Sequence, residues 1–217
     1  MSGSVSIAAL VNDVPVIPVI VVDRLEDAVP MAEALVSGGL TILEVTLRTP
    51  VALEAVGAIA SRVASARVGV GSVVDPVQFV AARDAGATFA VSPGATAELD
   101  EAARAAGIEW LPGAQTPSEV LALRARGHRF VKFFPAEAAG GMAWLKSVAG
   151  PIPDVRFCPT GGITAANARD YLALPNVACV GGSWVIPAAA VRAGRWDEVE
   201  ALARQARGLR GAGSAAG

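Results

Sequence analysis

Short, unbroken apolar runs alternate along this chain with longer stretches whose apolar positions recur every three or four residues. The unbroken runs, at 16–22, 41–47, 67–73, 88–91, 108–111, 129–134, 155–158 and 177–180, predict strands. The periodic stretches, at 25–36, 52–63, 76–85, 96–106, 117–126, 142–148, 164–172 and 196–209, predict helices. The punctuation agrees with this reading. Pro, Ser or Thr opens several of the helices, and Gly38-Gly39, Gly86, Gly107 and Gly127 close four of them. Continuous apolar strands, unlike alternating ones, suit parallel strands covered on both faces. Eight strand–helix units at a period of roughly 20–25 residues predict an α/β fold, a (β/α)8 TIM barrel. A doubly wound open sheet is the alternative. No linker divides the chain, so one domain is expected over 1–217, with frayed ends at about 1–3 and 211–217.

Composition narrows the functional classes. Hydrophobic residues make up 53% and charged residues 18%, which describes a core-rich, ordered protein. The net charge is −2 and the arginines are scattered, which argues against nucleic acid as a partner. The longest N-terminal apolar run, 14–22, contains Pro15 and Pro18 and is too short to span a bilayer. No signal peptide or membrane partner is therefore expected, and a cytoplasmic location is. Cys158 and Cys179 each sit in an apolar run, as small buried hydrophobes of a reducing compartment do. His128 is the only histidine, so neither a Ser-His pair nor a zinc cluster is expected. It falls at the start of its predicted strand, where a surface position is expected. Dinucleotide and P-loop fingerprints are lacking as well, and no cofactor or metal is expected.

Lysine usage is more telling. The chain has sixteen arginines but two lysines, Lys132 and Lys146. Lys132 lies in Phe130-Val131-Lys132-Phe133-Phe134-Pro135, a buried-strand pattern, and burial disfavours the charged form of an amine. A neutral amine attacks carbonyls, so Schiff-base chemistry is one reading. The other is a strand-end lysine whose stem packs while its ammonium reaches water. The barrel weighs between them. Polar and glycine residues gather at the predicted C-terminal strand ends, where such barrels carry their sites. Strands two and six lie opposite, and the pleat puts Glu44, Thr46 and Arg48 on one face and Lys132 with Phe134 on another. If both faces point inward, Glu44 and Lys132 converge, either as a silent ion pair or as an acid–base and nucleophile pair. After strands seven and eight, Thr160-Gly161-Gly162 and Gly181-Gly182-Ser183 offer unobstructed N–H groups where such barrels often bind phosphate. Without metal ligands, an amine-dependent lyase is favoured over a metal-assisted one.

These segments, together with Pro18-Val19-Ile20, Leu43-Glu44-Val45-Thr46-Leu47-Arg48, Gly71-Ser72-Val73, Val91-Ser92-Pro93-Gly94, Lys132-Phe133-Phe134-Pro135-Ala136-Glu137 and Arg156-Phe157-Cys158-Pro159-Thr160-Gly161-Gly162, resemble the bacterial 2-keto-3-deoxy-6-phosphogluconate aldolases. The resemblance runs from about Pro15 to Leu202. It implies a class I aldolase that releases pyruvate and also cleaves 4-hydroxy-2-oxoglutarate. It makes Lys132 the Schiff-base lysine and Glu44 the proton carrier. Arg48 and Ser72 would hold the pyruvyl carboxylate, with Pro93 and Phe134 shaping the pocket. Thr160, Gly161, Gly162, Gly181, Gly182 and Ser183 would line the phosphate end. The family usually carries threonine where this chain has Ser72, so a small change in substrate preference is expected. A homotrimer and a place in the Entner–Doudoroff pathway are implied by the resemblance alone. Rival readings are an aldolase for the galactose-epimeric substrate, a non-covalent phosphate-binding isomerase or decarboxylase, and a sugar-phosphate-binding scaffold.

Overall fold

Strands and helices alternate almost throughout the computed structural model, which describes residues 6–210. The ends expected to fray, 1–3 and 211–217, lie outside the described residues. The first elements are α1 (Ile7–Asp13), β1 (Val16–Ile20), α2 (Leu25–Ser37), β2 (Ile42–Thr46) and α3 (Ala52–Arg62). Next come β3 (Arg67–Gly71), α4 (Val77–Asp84), β4 (Phe89–Val91), α5 (Ala97–Ala106), β5 (Glu109–Leu111) and β6 (Gly113–Ala114). Then follow α6 (Pro117–Ala125), β7 (Phe130–Phe133), α7 (Gly141–Ala149), β8 (Arg156–Pro159) and α8 (Ala168–Leu172). The last are β9 (Val180–Gly182), α9 (Ala188–Arg192) and α10 (Trp196–Arg207). The sequence pattern misses α1, β6 and α9, which are too short to show a period. The expected last strand, 177–180, is displaced to Val180–Gly182, and the expected helix over 164–172 shortens to Ala168–Leu172.

Every strand pairing is parallel, and the strands form two curled sheets in the orders β5-β4-β3-β2-β1-β9 and β6-β7-β8. The closed eight-strand ladder predicted from the sequence is therefore not formed. One break falls at Pro112, which has no N–H to donate. Before it Leu111 pairs with Val91, and after it Gly113 pairs with Lys132, so a single extended segment serves both sheets. The other break separates β8 from β9, and two isolated bridges, Phe157 to Val177 and Thr160 to Gly181, span it.

One apolar core runs from Ile7 to Ala206. Part of it fixes the direction of the chemistry. Phe133 stacks on Trp144 of α7 at 4.3 Å, and Phe157 meets the same indole edge-on. Each fully buried aromatic of this kind contributes about 1.5–3 kcal/mol relative to exposure. With Phe133 and Phe157 turned to the helix, the pleat sends Lys132 and Cys158 to the opposite face. No helix among the described residues is long and apolar enough to cross a membrane.

Candidate active site

Lys132 and Glu44 meet as their strand parity predicts. The Lys132 Nζ donates to Glu44 Oε1 at 3.2 Å, and the two residues are 5% and 3% exposed. Lys146, in contrast, is an exposed residue of α7. Three local features seat the pair. The Phe134 ring lies 5.4 Å from the amine. Glu44 rests over Gly71, where any Cβ would overlap its carboxylate. Beside it, the buried Thr46 hydroxyl is committed to the Ile20 carbonyl at 2.9 Å, which locks β2 to β1. An ammonium has three donors, and this one has a single protein partner among the described residues. A purely structural buried ion pair needs its remaining donors satisfied to offset desolvation. An amine that trades protons with Glu44 and attacks a carbonyl does not.

The amine faces a cavity of about 80 Å³ at the C-terminal ends of β1, β2, β3, β4, β7 and β8. Arg48, Ser72, Pro93, Phe134 and Thr160 line it with Glu44 and Lys132. Arg48 is exposed at the rim, a position suited to a carboxylate. Ser72 is the one non-glycine residue with positive φ among those described, at 61°, so its hydroxyl sits on a strained turn after β3. Val19 and Thr46 complete the lining. Val19 was visible in the sequence only as part of the Pro18-Val19-Ile20 segment.

The glycine loops lie beyond this cavity. Gly161 and Gly162 have φ of 98° and 79°, conformations that side chains rarely adopt. The Gly162 and Ser183 N–H groups have no protein acceptor among the described residues. Gly181 and Gly182 have packing reasons of their own: a Cβ would overlap the Thr160 hydroxyl at one and the Trp184 ring at the other. Ser183 is exposed and lines a separate cleft of about 560 Å³ with Arg24 and Arg192, which shares Val19 with the Lys132 cavity. Thr160 alone of the six expected phosphate-end residues reaches the small cavity itself.

Two expectations away from the site are resolved. His128 is not a free surface residue: its ring nitrogen lies 2.9 Å from Asp100 Oδ1, and its side chain is 17% exposed. The sequence could not show this, because Asp100 belongs to α5, well separated from His128 along the chain. Burial opposes the Asp100 charge, but hydrogen bonds from Arg126, Arg104 and His128 outweigh it and bring its pKa down to about 2. Both cysteines are buried, and the Cys158 contact together with burial pushes the Cys179 thiol well up. Among the described residues no group of three or more His, Cys, Asp or Glu side chains is placed to hold a metal.

A buried amine and carboxylate lie under a small polar-rimmed cavity at the C-terminal ends of curled parallel sheets, where α/β enzymes of this kind carry their sites. Comparison with known proteins agrees. The family described as "Aldolase: KDPG and KHG aldolase" matches residues 7–202. A KHG/KDPG aldolase of Escherichia coli (strain K12) is 54% identical over 192 residues, 88% of this chain and 90% of its own. A 2-dehydro-3-deoxy-phosphogluconate aldolase of Pseudomonas aeruginosa is 48% identical over 200 residues, 92% of this chain and 91% of its own. The crystal structure of the Legionella pneumophila KDPG aldolase, with pyruvate captured at low pH as a covalent carbinolamine intermediate, is 46% identical. It superposes with a TM-score of 0.90 over 92% of this chain and 97% of that one. The chain belongs to the KDPG and KHG aldolase family and is a carbon–carbon lyase.

Proposed function

We propose that this protein is a class I, pyruvate-dependent aldolase that cleaves 2-keto-3-deoxy-6-phosphogluconate to pyruvate and glyceraldehyde 3-phosphate, and also acts on 4-hydroxy-2-oxoglutarate. The observation that carries the reading is the 3.2 Å contact between the buried Lys132 amine and Glu44. Neutral Lys132 attacks the substrate C2 ketone. Glu44 moves the protons that convert the carbinolamine to an iminium with loss of water. It then takes the C4 hydroxyl proton, the C3–C4 bond breaks, and its electron pair flows into the iminium as the enamine forms. The aldehyde leaves. Protonation at C3 and hydrolysis return pyruvate and the free amine. Arg48 and Ser72 hold the carboxylate, while Pro93 and Phe134 shape the wall. The Gly162 and Ser183 N–H groups receive the phosphate, and Thr160, Gly161, Gly181 and Gly182 line that end.

The two curled sheets act as one (β/α)8 barrel in one domain. The run of β5 into β6 through Pro112 and the two isolated bridges across the gap from β8 to β9 support this. A cytoplasmic homotrimer serving the Entner–Doudoroff pathway is the assembly and setting that fit the family. Exposed Val74, Val77 and Val80 supply an apolar surface for such an interface.

The test is covalent trapping. Incubation with pyruvate and borohydride should add one reduced pyruvate per chain, and peptide mass mapping should place it on Lys132. Label on Lys146, or none, would overturn the reading.

A further inference from the structure

One side-chain pair lies directly behind the glycine loop and has no part in the steps above. The Tyr171 hydroxyl donates to Glu137 Oε1. Tyr171 is fully buried, and burial with the Glu137 hydrogen bond raises its pKa well above the usual range, so it remains a neutral donor. The Glu137 stem crosses the Cα of Gly162 so closely that a Cβ there would meet its Cγ at 2.5 Å. The Glu137 N–H also donates to the Gly161 carbonyl at 3.1 Å, and Asn167 Nδ2 donates to the Gly162 carbonyl at 3.1 Å. Both loop carbonyls are thus tied back, while the Gly162 N–H has no protein acceptor among the described residues. The carboxylate meanwhile is held beside Gly141, the first residue of α7, where a helix N-terminus favours negative charge.

This arrangement sets a problem of charge. An anion-binding loop is backed by a carboxylate on a side chain that reaches it. A full negative charge swinging toward the loop would repel a phosphate, and a stem that moved would release the loop geometry. We propose that Tyr171, acting through Glu137, is a positioning residue for the phosphorylated end of the substrate: it restrains the Glu137 carboxylate away from the loop and fixes the backbone of Gly161 and Gly162. The pair touches neither the amine nor Glu44, so its influence falls on recognition of the phosphate and not on the bond-breaking step. This inference rests on the reading of the glycine loops as the phosphate end.

The experiment compares steady-state kinetics on 2-keto-3-deoxy-6-phosphogluconate and on unphosphorylated 4-hydroxy-2-oxoglutarate. Tyr171→Phe should raise KM for the phosphorylated substrate about tenfold, the scale of one charge-assisted hydrogen bond. Its kcat should stay within about twofold, and kinetics on 4-hydroxy-2-oxoglutarate should not change, since that substrate carries no phosphate. Adding Glu137→Gln to Tyr171→Phe should restore most of the lost affinity, because the amide keeps the stem and removes the charge. Glu137→Asp, a change at an exposed residue that withdraws the carboxylate from Tyr171, should reproduce the selective KM rise even if Tyr171→Phe folds poorly. Equal losses on both substrates, or none on either, would overturn the proposal. A wild-type enzyme with no preference for the phosphorylated substrate would instead overturn the phosphate reading, and the proposal with it.

Discussion

The Glu44 carboxylate occupies the space that any side chain at Gly71 would need. Thr46 and Gly71 are register partners in the β2–β3 ladder, so the Glu44 side chain lies over the end of the neighbouring strand and reaches Lys132 from there. The glycine is therefore part of how the Glu44 carboxylate is aimed at the Lys132 amine. Gly71→Ala should push the carboxylate off the amine, and a displacement of about 1 Å can cost on the order of 10²-fold. The expected result is a fall in kcat of that order with circular dichroism unchanged. Wild-type kcat would mean that the carboxylate reaches its task by another path.

The proton-carrying role proposed for Glu44 has a sharper test, in which that capacity is removed without moving the side chain. Glu44→Gln is nearly isosteric but cannot carry protons, and general acid–base groups contribute roughly 10²–10⁴-fold. Turnover should drop by about that factor, and borohydride trapping of pyruvate should slow, because iminium formation also needs proton transfers. If trapping and turnover both match wild type, Glu44 is an ion-pair partner only.

At the other end of the substrate, the proposed phosphate site would bind mainly through backbone N–H groups. Hydrogen bonds to a charged group contribute about 1.5–3 kcal/mol each. Two or three, discounted for water competition and non-additivity, should favour the phosphorylated substrate by roughly 10²–10⁴ in kcat/KM over its dephosphorylated analogue. Ser183 is the position at which to oppose this. A side chain at Gly162 would collide with Glu137 and strain a φ of 79°, whereas Ser183 is exposed. Ser183→Asp should erase most of the preference and leave cleavage of 4-hydroxy-2-oxoglutarate near wild type. Equal wild-type values for the two substrates would remove the phosphate site but leave the lysine chemistry standing.

Far from the cavity, Asp100 makes a pH-dependent contribution to stability. Its pKa falls from the reference 3.8 to about 2 in the folded chain. A depressed carboxylate stabilises the fold at pH above its unfolded pKa, and that contribution is lost as pH drops through the folded one. The shift corresponds to about 2 kcal/mol, present at neutral pH and vanishing between about pH 4 and pH 2. Denaturant titrations of wild type and Asp100→Asn should differ by about that amount at pH 7 and converge near pH 2. A difference that does not change with pH would show that Asp100 acts through packing alone.

Much of this was legible in the chain. Unbroken apolar runs and periodic stretches are local signals, and they placed most strands and helices within a few residues. Strand parity, also local, was enough to put Glu44 and Lys132 on matching faces. Glycines after the last strands marked the loops where N–H groups lie open. The sequence did not show where the ladder would break. Pro112 was visible, but whether a missing donor interrupts a sheet depends on which neighbour lies beside it. The last strand was placed too early because residues 177–180 are as apolar as 180–182 are bare, and pairing with β1 chose the latter. The partnerships of His128 with Asp100, Glu44 with Gly71 and Tyr171 with Glu137 were hidden for one reason. Each joins segments well separated along the chain, and sequence pattern records how a residue faces its own element. What stands opposite is decided only when the elements pack, because close packing lets one side chain fill the space that another position leaves empty.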